Sequence, residues 1–139
     1  NKDLRNLPPK LKKEFLKPTK IYVQEINKLN EKKLINGCAN ITGGGLIGNL
    51  LRIVPDKFCL NINLNKIKTK LIFKWLKKNK IDDSEMLKTF NCGVGFCLVA
   101  KKKNVKKIQK IFAPEYKPYP IGYISNEKEK IKISGKIKW

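Results

Sequence analysis

Residues 40–49, Asn-Ile-Thr-Gly-Gly-Gly-Leu-Ile-Gly-Asn, place three successive glycines between two short apolar runs. Glycines at a helix start let the backbone come close to an anion, and free N–H groups together with the helix dipole favour negative charge there. Thr42 adds a hydroxyl to such a site. A strand-to-helix turn where only glycine fits accounts for the same residues, so this stretch alone leaves both readings open. Gly43 to Gly48 also match G-x-G-x-x-G in form. A dinucleotide site of that kind wants an acidic residue about 20 positions later to hold a ribose. Residues 61–67 offer Asn61, Asn63, Asn65 and Lys66 instead, and no Gly-Lys-Ser/Thr follows the glycines, which excludes a Walker loop. A second glycine stretch, Thr-Phe-Asn-Cys-Gly-Val-Gly-Phe at 89–96, puts Asn91, Gly93 and Gly95 where a helix should hand over to a buried strand. Two such turns, each beside a polar Thr or Asn, suggest one shared crevice.

Other chemistries are cut away by composition. The 139 residues contain no histidine, which removes the usual nucleophilic triads and the commonest general base. Cys38, Cys59, Cys92 and Cys97 form no Cys-x-x-Cys pair, and their spacings fit no common zinc ribbon or finger. Each lies in an apolar run, so buried reduced thiols and no metal site are expected. The formal net charge is +21, yet only Arg5 and Arg52 are arginines. Bidentate reading of phosphates and bases favours Arg over Lys. Lysine runs such as Lys101-Lys102-Lys103 are spread among apolar helix positions along the whole chain. With many Asn and Ile, they read as the drift of an AT-rich genome and as a solvated surface. A basic, non-catalytic nucleic-acid-binding domain is the alternative. No run of ~18 apolar residues predicts a membrane span, and no secretory leader opens the chain. The first residue is Asn, as in a fragment or processed form.

The elements that would position these residues alternate along the chain. A short helix is expected near 9–16, stopped before Pro18, then a brief extended piece at 20–24. Val23, Ile26, Leu29 and Leu34 have near-helical spacing, with Gly37 as the stop. A strand at 38–42 leads into the glycines, and a helix over 46–54 ends at Pro55. Phe58, Leu60, Ile62 and Leu64 alternate as in a strand. Leu71, Ile72, Trp75 and Leu76 mark the buried stripe of an amphipathic helix over 68–79. An Asp or Ser cap opens a helix in 82–90. A strand over 93–100 follows, then a helix over 104–112 with Val105, Ile108, Ile111 and Phe112 inward. Two closing strands, 119–125 and 130–134, are read as paired through the turn at 125–129. This order predicts an α+β fold, a single mixed β-sheet with helices packed on it, in one domain spanning residues 1–139.

The ordered segments 16–22 (LKPTKIY), 39–45 (ANITGGG), 49–55 (NLLRIVP), 73–76 (FKWL), 85–96 (EMLKTFNCGVGF) and 119–124 (YPIGYI) carry a resemblance. Together they are similar to the C-terminal domain of the phosphoribosylformylglycinamidine cyclo-ligase family, also called aminoimidazole ribonucleotide synthetases, over essentially the whole chain. The resemblance implies a ligase of purine biosynthesis. Such an enzyme uses ATP to activate the formyl oxygen of formylglycinamidine ribonucleotide, whose own amine then closes the imidazole ring as phosphate leaves. It also implies a cytoplasmic homodimer, with ATP and Mg2+ held mainly by an N-terminal domain outside this chain. No nucleic-acid or membrane partner follows from it. Another ATP-dependent member of the same superfamily remains an alternative.

By that resemblance the catalytic positions are Asn40 and Thr42. The substrate and phosphate contacts are Gly43, Gly44, Gly45, Asn49, Arg52, Asn91, Gly93 and Gly95. Arg52 suits a phosphate or, equally, a surface ion pair. The family usually carries His where this chain has Asn40. Asn hydrogen-bonds a substrate but transfers no proton near neutral pH.

Overall fold

The computed structural model describes residues 6–139, so the start of the basic opening stretch, Arg5 included, lies outside the described residues. Eleven elements follow in order: α1 (Pro9–Phe15), α2 (Val23–Glu31), β1 (Gly37–Asn40), α3 (Gly45–Leu51), β2 (Cys59–Asn63), α4 (Leu71–Lys78), α5 (Asp83–Thr89), β3 (Phe96–Val99), α6 (Val105–Gln109), β4 (Gly122–Ser125) and β5 (Ile131–Ser134). The fold is α+β, as expected. Its strands, however, divide into two sheets rather than one: an antiparallel ribbon β1–β3 and a three-stranded sheet in the order β4-β2-β5. The physical reason lies in β2. It is hydrogen-bonded along both edges, antiparallel to β4 and parallel to β5, so no edge remains for β1 or β3.

The same topology corrects the expected β4–β5 hairpin. β2 sits between the two strands, and residues 126–130 carry the chain from one edge of the sheet to the other. With β4 and β5 along its two edges, β2 buries Cys59, Leu60, Asn61 and Ile62 in succession instead of alternating. Asn61 is accommodated because its amide donates to the Ser125 hydroxyl at 2.8 Å.

One main core joins both sheets. Ala39 and Cys97 from the ribbon pack in the same cluster as Leu60 and Ile62 from β2, Leu46 and Leu50 from α3, Met86 from α5, and Ile137 near the C-terminus. Leu46 and Met86 are fully buried. Trp139 anchors the chain end by donating to Asp83 Oδ1 at 3.0 Å, and Lys77 of α4 pairs with the same carboxylate at 2.6 Å. Leu29, Leu34 and Ile108 form a second, smaller cluster under α2 and α6.

Local departures have local causes. Residues 20–22 are not a strand; Tyr22 is already in the right-handed helical region as the residue before α2. α2 stops at Glu31, well before Gly37, because Lys33 takes the left-handed conformation (φ 48°). Leu34 N–H then donates to Leu29 C=O and Lys33 N–H to Asn30 C=O, both at 2.9 Å. The stripe on α4 is rotated from the expected one. Leu71 is exposed, Phe73 and Leu76 meet the main core, and Trp75 packs edge-on against Phe15 of α1, 5.8 Å between ring centres. Asp82 is the cap of α5, accepting from Glu85 N–H at 2.8 Å.

Of the four thiols, Cys59, Cys92 and Cys97 are buried and Cys38 is only half-buried. Burial pushes the Cys92 thiol up to about 11 and the Cys97 thiol up to about 12. Thiolate supplies the reactivity, and at pH 8 neither buried group forms it appreciably. Iodoacetamide at pH 8 should therefore label Cys38 first in the folded protein. Peptide mass mapping should find Cys92 and Cys97 modified only once urea has unfolded the chain.

Candidate functional site

The glycine turns lie at the same end of the β1–β3 ribbon. Antiparallel pairing sets Asn40, the last residue of β1, opposite Phe96, the first of β3. One step beyond, Ile41 N–H donates to Gly95 C=O at 3.0 Å. The chain leaves β1 through Thr42–Gly45 and enters β3 through Asn91–Gly95, so the ladder itself brings the turns together. Asn40, Thr42, Gly43 and Gly44 are exposed there.

Each turn is built by backbone strain relieved with glycine or local hydrogen bonds. Gly44 (φ 92°) and Gly45 (φ 62°) are left-handed, and Gly45 N–H donates to Thr42 C=O at 3.1 Å. A β-carbon on Gly45 would overlap the Leu87 carbonyl of α5. Here glycine lets α3 start flush against the last turn of α5. A β-carbon on Gly43 would meet nothing within 4 Å, so its backbone faces open space. Asn49, buried on α3, turns its amide back into the loop and donates to Gly45 C=O at 2.7 Å and Gly43 C=O at 3.2 Å. Those contacts hold the turn's carbonyls inward. Among the described residues the Gly43 and Gly44 N–H groups have no hydrogen-bond partner.

The second turn closes on itself. Asn91 Oδ1 accepts from Gly93 N–H at 3.0 Å, and Asn91 C=O accepts from Val94 N–H at 2.8 Å. Gly93 (φ 100°) presses on the backbone of Lys68–Lys70. Cys92 is left-handed without being glycine (φ 51°), and its buried thiol donates to Met86 C=O at 3.3 Å.

The residues expected at the site thus divide. Asn40, Thr42, Gly43 and Gly44 are exposed at that end of the ribbon, here called the mouth. Gly45, Asn49, Asn91 and Gly93 spend their polar groups on the turns. Arg52 lies at the far end of α3, about 10 Å along a seven-residue helix from the glycines. Gly95 faces Tyr22, whose ring packs on Phe96 at 4.9 Å. Lys20 lies beside it, 5.6 Å from the Tyr22 ring and 4.5 Å from Tyr116, with its ammonium 2.7 Å from Glu25. The pairing holds the Glu25 carboxyl below the usual range. This aromatic wall was not assigned from sequence; its signal is the Pro18-to-Tyr22 part of the 16–22 segment. A separate groove of about 660 Å3 on the three-stranded sheet, lined by Asn61, Tyr123 and Lys132, shares no residue with the turns.

An α+β domain with paired glycine turns at one ribbon end agrees with the comparison to known families. The family described as AIR synthase related protein, C-terminal domain, matches residues 2–134, and the chain belongs to that family. Similar proteins include phosphoribosylformylglycinamidine cyclo-ligases from Thermodesulfovibrio yellowstonii and Pseudothermotoga lettingae. The first is 40% identical over 83% of this chain and 34% of its own length; the second is 42% identical over 76% and 31%. The trifunctional purine biosynthetic protein adenosine-3 of Chironomus tentans is 42% identical over 70% of this chain and 7% of its own length. The chain therefore spans about a third of the cyclo-ligases it matches. These relatives support the purine-ligase reading and not the nucleic-acid-binding alternative.

Asn49→Asp would replace the amide donor with a carboxylate facing the Gly43 and Gly45 carbonyls. Losing that donor and setting a carboxylate against the two carbonyls costs about 1–3 kcal/mol. The urea unfolding midpoint should fall accordingly at pH 7; an unchanged midpoint would return Asn49 to the role of a ligand contact.

Proposed function

We propose that this chain is the C-terminal domain of an ATP-dependent cyclo-ligase that converts formylglycinamidine ribonucleotide to 5-aminoimidazole ribonucleotide. Its partners in this reading are that substrate, ATP, and its own N-terminal domain in a cytoplasmic homodimer. The observation that carries it is the meeting of two glycine turns at one ribbon end, with Gly43, Gly44, Thr42 and Asn40 open at the mouth.

Phosphoryl transfer to an oxygen needs positioning and stabilisation of oxygen charge, not a protein nucleophile. The Gly43 and Gly44 N–H groups and the Thr42 hydroxyl are donors of the right kind, approachable because no side chain screens Gly43. Asn40 hydrogen-bonds the substrate, with its amide serving as donor and acceptor. Gly45, Asn49, Asn91 and Gly93 act one step back, fixing where those donors point. ATP, the phosphoryl source, would meet this mouth through its terminal phosphate. Mg2+ does not fit these residues. The mouth carries no carboxylate, and among the described residues no three His, Cys, Asp or Glu converge on one point. No step here passes through the metal, which falls to the N-terminal domain.

The full-length protein, given ATP and formylglycinamidine ribonucleotide at saturation, should release aminoimidazole ribonucleotide and phosphate in equal amounts. Absence of product overturns this reading. In the same assay Asn40→His should leave kcat equal or higher, within the ~10²-fold that a positioned acid or base can bring. A severe loss would show that the Asn40 amide has a role of its own.

A further inference from the structure

Segment 16–22 is a part of the resemblance to which the reading above gives no work, and the structure folds its last residue onto the site. The Tyr22 ring covers Phe96, the residue paired with Asn40 across the ribbon. A β-carbon on Gly95 would lie 2.5 Å from Tyr22 Oη but 3.5 Å from Cζ. The space kept free by glycine at 95 is therefore occupied by the hydroxyl, not by the ring. Gly95, which the hydroxyl adjoins, is itself tied through its C=O to Ile41 N–H, one residue before Thr42.

Tyr22 is half-buried, and a tyrosine so placed normally finds a partner for its O–H. Among the described residues this hydroxyl has no hydrogen bond. Burial, the larger effect, raises its pKa above the ordinary value against the opposing pull of Lys20, so it stays a neutral donor at pH 7. Lys20 and Glu25 neutralise each other, and Lys20 packs between the rings of Tyr22 and Tyr116. The wall thus offers the mouth a fixed hydroxyl and apolar ring surface rather than net charge.

We propose that Tyr22 is a substrate-contacting residue, its hydroxyl donating a hydrogen bond to an oxygen of the phosphorylated ribonucleotide at the mouth of the glycine turns. The assignment rests on the cyclo-ligase reading.

The test uses the full-length enzyme. Tyr22→Phe keeps the ring on Phe96 and removes only the donor. It should lower kcat/KM by about 10- to 100-fold, the range of one hydrogen bond to a polar or charged group, with an unchanged melting temperature. Gly95→Ala should destabilise the protein by forcing a methyl group against the hydroxyl. Adding Tyr22→Phe to Gly95→Ala leaves Cζ as the nearest atom at 3.5 Å, an ordinary contact, and should restore the melting temperature. That double variant should not regain wild-type activity. Wild-type turnover by Tyr22→Phe, or recovery of full activity along with stability in the double variant, overturns the proposal. So does a Tyr22→Phe protein that melts well below the wild type, which would place the hydroxyl in the fold. A wild type without turnover overturns the cyclo-ligase reading and this proposal together, whereas an active wild type matched by Tyr22→Phe overturns the proposal alone.

Discussion

The antiparallel register of β1 against β3 is the constraint on which the site depends. Four residue pairs fix it, from Gly37 opposite Val99 to Asn40 opposite Phe96. A slip of one residue would exchange the faces of every side chain in the ribbon, taking Ala39 and Cys97 out of the core. Burial therefore locks the register, and the register locks the turns. The loop leaving β1 and the loop entering β3 meet because the strands that bear them cannot slide.

A second constraint acts at right angles to the ribbon. α3 and α5 pack backbone to backbone where Gly45 meets Leu87 C=O, and Leu46 and Met86 fill the space beside that contact completely. The close approach allows no side chain at 45 and leaves the loop little freedom. Asn49 completes it from within α3, one helical turn after Gly45, by donating to the Gly45 and Gly43 carbonyls. The turn's acceptors are used internally, while the Gly43 and Gly44 N–H groups stay without a partner among the described residues.

Much of this was legible in the sequence where the signal is local. The Asp82 cap, the glycine-rich entry to α3 and the apolar run through β3 each announce themselves within a few residues. What failed was non-local. Nothing around Ser125–Glu129 reveals that β2, more than 60 residues earlier, will sit between β4 and β5. The unbroken burial of β2 shows only once both neighbours are in place. Lys33 in a left-handed conformation ended α2 where composition pointed to Gly37, because the hydrogen bond of Leu34 to Leu29 C=O and the burial of Leu34 outweigh a cost of roughly 1 kcal/mol. At the site, residue types were read correctly as turn formers, but type does not say which polar groups remain free. Gly45 and Gly93 resemble Gly43 and Gly44 in sequence, yet their N–H groups donate to Thr42 C=O and Asn91 Oδ1.

That division of donors bears on how much of the chemistry one such domain can perform. Two free amides, a threonine hydroxyl and an asparagine amide make a neutral mouth. Neutral donors stabilise one developing oxygen charge well in a dry site, but a triphosphate carries several charges and needs cations to match them. Lys20, the cation nearest the aromatic wall, is paired with Glu25, and Arg52 lies a helix length away. Lys68, Lys70 and Lys88, whose backbone lies against the two turns, are the other cations close by, and a charge beyond about 10 Å is largely screened by salt. A mouth of this kind is suited to orienting the oxygen that accepts a phosphoryl group. In the cyclo-ligase reading proposed above, the rest of the donor phosphate's charge is met by groups outside these two turns.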